Sequence, residues 1–219
     1  MAQSKSDIAY DYLRKQIVFC HLKPGDLIDE KTITEELGIS RTPVREAINQ
    51  LSKEKLVTIF PRKGVIINHI SMRELQDMID CRALVEPYLI RRAFNQLDVD
   101  SLREFRKLAK AKGTDSGIDM DSIEDDFDFA FHMYFAQQVG NFYLENLMST
   151  LLAVSQRTRI FLPWSPERVS ASAVEHIAII DCMLNGDEEG AVQAILTHLD
   201  HSREGYMRVS QSHGDFLRA

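Results

Sequence analysis

Three histidines and one aspartate are spaced so that they can meet inside a helical bundle. Asp128 and His132 are four residues apart, which places both side chains on one face of a helix. His176 and His198 lie in two later segments, each in line with apolar residues at helical spacing. A histidine on an apolar face is ordinarily a core residue, but neutral imidazoles with a carboxylate also bind divalent transition metal ions. The spacing therefore allows a metal site formed by Asp128, His132, His176 and His198, with ordinary core histidines as the alternative.

An arginine interrupts the apolar face of the helical segment that precedes these residues. Arg82 falls within a face formed by Leu75, Met78, Ile79, Val85 and Leu89. A charge on a core face is costly unless it is paired. Glu86 lies one turn later, so one interpretation is an intrahelical salt bridge. The other is that Arg82 points into the bundle and holds the carboxylate of a ligand.

A second group of polar residues lies in the stretch SRTPVREA, residues 40–47. Pro43 suits the start of a helix, and Thr42 before it is the expected N-cap. Arg41 and Arg45 then lie around the first turn, at the end of the helix where the dipole disfavours cations. An anion bound at this end, such as phosphate, would supply their partner. Two solvated arginines on a surface helix are the alternative.

The elements around this stretch predict a winged helix. A helical pattern over SDIAYDYLRKQIVF is followed by TITEELGI, a short helix with a Thr32–Glu35 capping box that ends at Gly38. With the helix of SRTPVREA it forms a helix-turn-helix pattern. The runs LVTIF and GVIINHI, separated by PRK, predict a β-hairpin. In a winged helix the second helix of the pair enters the major groove, so the anion is DNA, and Arg62 and Lys63 lie at the wing tip.

The rest of the chain reads as helices. A Ser71–Glu74 capping box starts a new helix, which puts a boundary near residue 70 and divides the chain into 1–70 and 71–219. Breaks at NQLD, AKGTDSGIDMD, VGN, LPWSP and NGD leave six or seven helices and no strand. The predicted fold is mainly α, with an N-terminal winged helix-turn-helix and an all-α bundle. The other histidines are expected at the surface, namely His21, His69, His201 and His213.

Charge and composition agree with this division. The net charge is −7, but residues 1–70 carry 11 Lys and Arg against 9 Asp and Glu, and the remainder carries 15 against 24. The basic part suits nucleic acid and the acidic part does not. The three widely spaced cysteines argue against a disulfide framework and fit a reducing cytoplasm. No apolar run resembles a membrane span or a signal peptide, so a cytoplasmic location without a membrane partner is expected.

The segment LGISRTPVREAINQLSKEKLVTIFPRKGVIIN resembles the DNA-binding domain of GntR-type bacterial transcription regulators. The resemblance implies that Arg41 and Arg45 contact bases or phosphates and that Thr42 contacts phosphate. It also implies that Lys31 contacts the DNA backbone and that Gly64 allows the wing to approach the minor groove. Lys63, at the wing tip, is expected to contact the DNA beside Gly64. Lys55 stands where that family usually has glycine.

The segments DFAFHMYFAQQVGN and VEHIAIIDCMLNGDEEGAVQAILTHL resemble the FCD effector domain of the FadR-like subfamily. This resemblance implies that Asp128, His132, His176 and His198 hold a divalent transition metal ion. Zinc is the first choice, and nickel, manganese or iron also suit the ligand set. The arginine in CRALVEP matches that family's carboxylate-binding arginine, which implies an effector contact for Arg82.

The expected function is that of a DNA-binding transcription regulator, a repressor rather than an enzyme. A small carboxylate or sugar acid bound at the metal would control its affinity for double-stranded operator DNA. A homodimer is expected because helix-turn-helix proteins read paired half-sites. One alternative is a metal-dependent hydrolase or lyase, with Glu86 or Glu175 as the base. Two further alternatives are a DNA-binding protein with a purely structural metal ion and one in which the metal ion is itself the signal.

Overall fold

A computed structural model describes residues 3–112, 126–162 and 164–212. Most of the predicted polar loop, Pro163 of LPWSP and His213 lie outside the described residues. The first part of the chain contains three helices and three strands: α1 (Lys5–Val18), β1 (Leu27–Ile28), α2 (Glu30–Leu37), α3 (Arg41–Lys53), β2 (Val57–Phe60) and β3 (Gly64–Ile67). The second part is helical within the described ranges: α4 (Met72–Ala93), a 3-10 turn (Phe94–Gln96), α5 (Val99–Lys112), α6 (Phe127–Val139), α7 (Phe142–Phe161), α8 (Pro166–Leu184) and α9 (Glu188–Ser212).

The predicted winged helix is confirmed. Helices α1 and α3 pack together, and β2 pairs antiparallel with β3 as the wing. Strand β1 adds a third strand on the other side of β3, which the sequence did not predict because two residues carry no periodicity. The core of this part consists of apolar side chains from the helices and the sheet, including Leu13, Ile17, Val44, Leu51 and Ile67.

Two predicted helix starts are wrong by a few residues. Helix α2 begins at Glu30 with Asp29 as its N-cap, whose carboxylate accepts from the Lys31 N–H at 2.9 Å and from the Thr32 hydroxyl at 2.7 Å. Thr32 is therefore a partner of the cap rather than the cap, since a charged acceptor is available one turn earlier. The predicted end of this helix is confirmed, because Gly38 is the C-cap with φ +63°.

The N-cap of α3 is Ser40 rather than Thr42. Its backbone is extended, but its side chain makes no capping hydrogen bond. Pro43 is thus the third helical residue, still within the first turn, where a backbone N–H has no intrahelical partner to lose. Thr42 is left exposed, with its hydroxyl free of a capping role.

Lys55 adopts a left-handed backbone conformation immediately after α3, with φ +59°. Because a residue with a Cβ is strained there, Lys55→Gly is expected to raise the free energy of unfolding by about 1 kcal/mol. Gln50→Gly, at an exposed helical position of α3, should lower it by about 1 kcal/mol. Urea unfolding of both variants measures the two changes, and the same sign for both would contradict this explanation.

The predicted count of six or seven helices in the second part is confirmed by six α-helices and one 3-10 turn within the described ranges. The hydroxyl of Ser71 accepts from the Glu74 N–H at 3.1 Å and starts α4. Ile67 belongs to the first hydrophobic core and Ile70 to the second, which the helices from α4 onward fill. The division at residue 70 stays a prediction. Within the described ranges, no helix is long and apolar enough to cross a bilayer.

Helix α7 connects the two parts of the chain. Arg14 of α1 donates to the backbone oxygen of Ser149 at 3.1 Å and to its hydroxyl at 3.2 Å. Arg157 is buried and donates to the backbone oxygen of Asn68, directly after β3. Helix α7 is therefore hydrogen-bonded both to α1 and to the residue that follows β3.

Candidate DNA-binding surface and metal centre

The residues predicted to bind DNA are all exposed, and two of them, Arg45 and Gly64, line the same cleft. Arg41, Thr42 and Arg45 are exposed in the first part of α3, and a cleft of about 420 Å³ separates this helix from the wing. The Arg45 guanidinium Nε lies 2.9 Å from a carboxylate oxygen of Glu30, which orients the arginine toward the cleft while its side chain stays 63% exposed. Such a guanidinium can form paired hydrogen bonds with guanine or phosphate.

The wing presents its tip beside this cleft. Lys63 and Gly64 are exposed, and Arg62 takes φ +65° in the turn. Gly64 has φ +109°, and a Cβ there would lie 3.3 Å from Leu27 Cδ2, so a side chain is disfavoured on both counts. Lys31 lies exposed on α2, 3.7 Å from Glu35.

Sequence reasoning missed one polar residue of this surface. Asn49 is exposed on α3 and lines the same cleft as Arg45. The sequence spacing indicates this position, because Asn49 follows Arg45 by four residues and therefore lies on the same face of the helix. An asparagine in this position can pair with adenine in the major groove.

The four residues predicted to bind metal come together in the second core. Asp128, His132, His176 and His198 each offer one ligand atom, and these atoms all lie within 4.8 Å of one another. His132 Nε2 is 3.3 Å from His176 Nε2, and Asp128 Oδ1 is 3.5 Å from His176 Nε2 and 3.7 Å from His132 Nε2. The three imidazoles are buried. One carboxylate and three imidazoles facing a common point form a ligand set that suits a divalent transition metal ion.

Local structure explains why these side chains meet. Asp126 caps α6 by accepting from the Asp128 N–H, so Asp128 and His132 follow one another by a turn on the inner face of that helix. His176 of α8 is held edge-on by Phe127 and Phe131, with ring centroids 5.1 Å apart in both pairs. His198 of α9 lies tilted against His176, with ring centroids 4.4 Å apart, and stacks on His132 at 5.3 Å.

Two carboxylates contact the outward nitrogens of the clustered histidines. Glu86 Oε2 is 2.7 Å from His132 Nδ1, and Glu175 Oε2 is 2.8 Å from His198 Nδ1. The other Glu175 oxygen is 2.8 Å from Nδ1 of His201, whose side chain is half exposed, as predicted for a surface residue. Each of these two carboxylates, which the enzyme alternative would use as a base, is thus in contact with a histidine.

Arg82 forms an intrahelical ion pair with Glu86, which was one of the two predictions for this residue. Its Nε lies 2.5 Å from Glu86 Oε1, and both side chains are buried. Its Nη1 is 3.5 Å from the Ser155 hydroxyl, and its Nη2 has no hydrogen-bond partner within the described residues. An effector contact at Nη2 stays a prediction.

A different arginine, which sequence reasoning missed, touches the cluster directly. Arg159 of α7 donates through Nη1 to Asp128 at 2.5 Å and to Ser155 at 2.9 Å, and through Nη2 to Asp126 at 2.7 Å. Arg159 also lines a cavity of about 90 Å³ that reaches Asp128, His176 and Trp164. Arg82 is not among the residues lining that cavity.

The charges around the cluster shift several pKa values. Burial alone would raise the pKa of Asp128, but Arg159 and the histidines lower it by more. The net pKa of Asp128 therefore lies well below the ordinary carboxyl value. Burial opposes ionisation of Glu86, yet Arg82 and His132 bring its pKa down to about 2. Burial lowers the pKa of His176 well below that of an ordinary imidazole and also lowers the pKa of His198. Burial lowers the pKa of His132 as well, but Glu86 outweighs it and the net pKa is raised.

Comparison with known proteins identifies both parts of the chain. The family model of the FCD domain matches residues 77–201, and the model of bacterial regulatory proteins of the gntR family matches residues 5–67. The HTH-type transcriptional repressor RspR of Escherichia coli K12 is 27% identical over 95% of this chain and 91% of its own. The Nta operon transcriptional regulator of Aminobacter aminovorans is 28% identical over 82% of this chain and 83% of its own.

A solved structure shares the fold over almost the whole chain. Escherichia coli McbR/YncC superposes with a TM-score of 0.79, covering 97% of this chain and 100% of its own, at 18% identity. The winged helix, the helical bundle and both family matches therefore agree. The chain belongs to the gntR family of bacterial regulatory proteins, carries an FCD domain, and is a transcription regulator.

Proposed function

We propose that the protein is a repressor whose affinity for operator DNA is controlled by a small carboxylate bound at a divalent metal ion. Asp128, His132, His176 and His198 would hold the ion, with zinc as the first choice and nickel, manganese or iron as alternatives. The observation that carries this proposal is the convergence of four ligand atoms within 4.8 Å beside a cavity lined by a guanidinium. When bound, the ion would supply a Lewis-acid position for a carboxylate oxygen.

The charges around the cluster favour binding of a metal cation and then, once the cation is bound, binding of an anion. Four carboxylates and three guanidinium groups surround the cluster and leave one net negative charge. The anions are Asp126, Asp128, Glu86 and Glu175, and the cations are Arg82, Arg159 and Arg168. A divalent ion would reverse this to one positive charge, which a monocarboxylate neutralises. Lys112 at the rim of the cavity adds positive charge that would attract such an anion.

The cavity also limits the size of the effector. A volume of about 90 Å³ corresponds to about three waters at their share of liquid volume. The cavity therefore suits a small acid better than a large one. Arg159 is the better placed carboxylate partner because it lines the cavity, and Arg82 has only its Nη2 available.

Helix α7 offers a physical connection between effector and DNA. Ser155 and Arg159 contact the metal region, and Arg157 between them donates to Asn68. The Asn68 amide in turn donates to the Lys55 backbone oxygen at 2.7 Å, just after the recognition helix. A shift of α7 on effector binding would therefore move the base of the wing, with a coupling of about 1–3 kcal/mol in typical cases.

A homodimer and a cytoplasmic location complete the proposal. Exposed apolar side chains on the neighbouring helices α4 and α7 support pairing of two copies, namely Leu84, Tyr88, Phe142, Tyr143 and Leu147. In such a dimer, two recognition helices would be available for paired half-sites. The cysteines are free, which suits a reducing compartment.

Binding to duplex DNA tests the first half of the proposal. Arg45→Ala is expected to weaken binding to a duplex selected by the wild-type protein, by about 1–3 kcal/mol, with relaxed sequence preference. Lys107→Ala on α5, an exposed cation far along the chain from α3, should leave binding unchanged. Fluorescence anisotropy at fixed salt measures both. Equal affinities for wild type and Arg45→Ala would contradict the assignment of α3 as the recognition helix.

A further inference from the structure

Two glutamates outside the Asp–His cluster each contact the Nδ1 nitrogen of one of its histidines. Glu86 meets His132 Nδ1 at 2.7 Å, and Glu175 meets His198 Nδ1 at 2.8 Å. A carboxylate at Nδ1 keeps a proton on that nitrogen and leaves the lone pair of Nε2 for a metal ion. In agreement with this, His132 Nε2 lies 3.3 Å from His176 Nε2 inside the cluster.

Each glutamate is itself held by an arginine. Arg82 pairs with Glu86 at 2.5 Å, and Arg168 forms a two-pronged pair with Glu175, at 3.0 Å for each of its terminal nitrogens. Paired N–H donors fix the plane of a carboxylate as well as its position. The same Arg–Glu–His order thus occurs twice, once between α4 and α6 and once between α8 and α9.

We propose that Glu175 is a positioning residue of the metal centre. It holds His198 with Nε2 toward the ion and, as an anion, increases the electron density that this imidazole donates. Glu86 has the same role toward His132. The inference rests on the proposed binding of a metal ion at the cluster and extends it to residues that are not ligands.

Glu175 is the better residue for an experiment because it is accessible. It lines a cleft of about 450 Å³ together with Trp164, Arg168, His201 and Glu204, and its side chain is 14% exposed. Glu86 is completely buried, and its removal would leave Arg82 without its ion-pair partner. A change at Glu175 therefore alters the hydrogen bond to His198 without opening the core, and it also alters the contacts of this carboxylate with Arg168 and His201.

The test compares zinc affinities of the full-length protein by competition with a chromogenic chelator. Glu175→Gln keeps the size of the side chain but removes its charge, and it should weaken zinc binding by about 10–100-fold. The matched control is Glu204→Gln, in the same cleft and with the same charge change, whose carboxylate pairs with Arg208 at 3.1 Å. This control should bind zinc with wild-type affinity. Wild-type affinity in Glu175→Gln would overturn the inference.

The two proposals fail in different ways. A wild-type protein without measurable zinc affinity would overturn the metal site itself. A second readout covers the case in which Glu175→Gln does not fold. Long-range ¹H–¹⁵N correlation spectra of the zinc-loaded wild-type protein should show His198 protonated at Nδ1 and bound through Nε2. Zinc bound through Nδ1 of His198 would contradict a positioning role for Glu175.

Discussion

Arg82→Ala is expected to lower the free energy of unfolding by about 3–5 kcal/mol, because it leaves a buried carboxylate without its counter-charge. Glu86 is fully buried, 2.5 Å from Arg82 Nε, and it also bonds His132. Its pKa of about 2 reflects how strongly these partners favour its ionised form over the cost of burial. Urea unfolding of the metal-free protein measures the loss directly.

Helix α4 supplies a matched control for this prediction. Arg73 and Asp77 have the same four-residue spacing on the same helix, but their side chains are 90% and 69% exposed. Arg73→Ala should therefore change the unfolding free energy little, since exposed pairs contribute little. An equally small loss for Arg82→Ala would mean that the ion pair with Glu86 is dispensable, and it would favour the interpretation of Arg82 as a residue kept for ligand binding.

Removal of the metal is expected to have the second large effect. An ion that binds the folded state stabilises it by mass action, by about 4 kcal/mol at a free concentration 1,000 times its dissociation constant. His176→Ala removes one of the four ligands, and its neighbours Phe127 and Phe131 cannot replace it. The difference in melting temperature between zinc-buffered and chelator-treated protein should therefore disappear in this variant.

The control for the metal prediction is another histidine of the same region. His201 contacts Glu175 but lies outside the group of converging ligand atoms, and its side chain is 49% exposed. His201→Ala should keep the zinc-dependent shift in melting temperature. If His176→Ala also kept the full shift, the ion would be bound elsewhere in the chain.

The helical parts of the fold could be predicted because helix spacing and caps are local signals. Asp128 and His132 share a helix face by spacing alone, and His176 and His198 lie on inner faces of their helices. The short strand β1 could not be predicted, because two residues pair with β3 only through tertiary structure. The start of α2 was misplaced because Asp29 and Thr32 are both good caps, and only the fold decides between them.

The surroundings of the Asp–His cluster were less predictable than its four members. Arg159 reaches Asp126 and Asp128 across the packing of α6 against α7, which no spacing within one helix reveals. Glu175 lies next to His176 in sequence, yet it bonds His198 of another helix. Contacts between helices depend on how the helices are rotated and spaced relative to one another, and a single sequence considered alone does not contain that information.

The most direct test of carboxylate sensing at the metal is a melting-temperature screen with and without zinc. Acetate and lactate, which suit the small cavity, and the larger citrate and gluconate would each be added to zinc-loaded protein, to chelator-treated protein and to His176→Ala. We predict that at least one acid raises the melting temperature of the zinc-loaded wild type only, because selective binding to the folded state must stabilise it. If zinc raised the melting temperature and no acid raised it further, the metal would be structural and the sensing function would be contradicted.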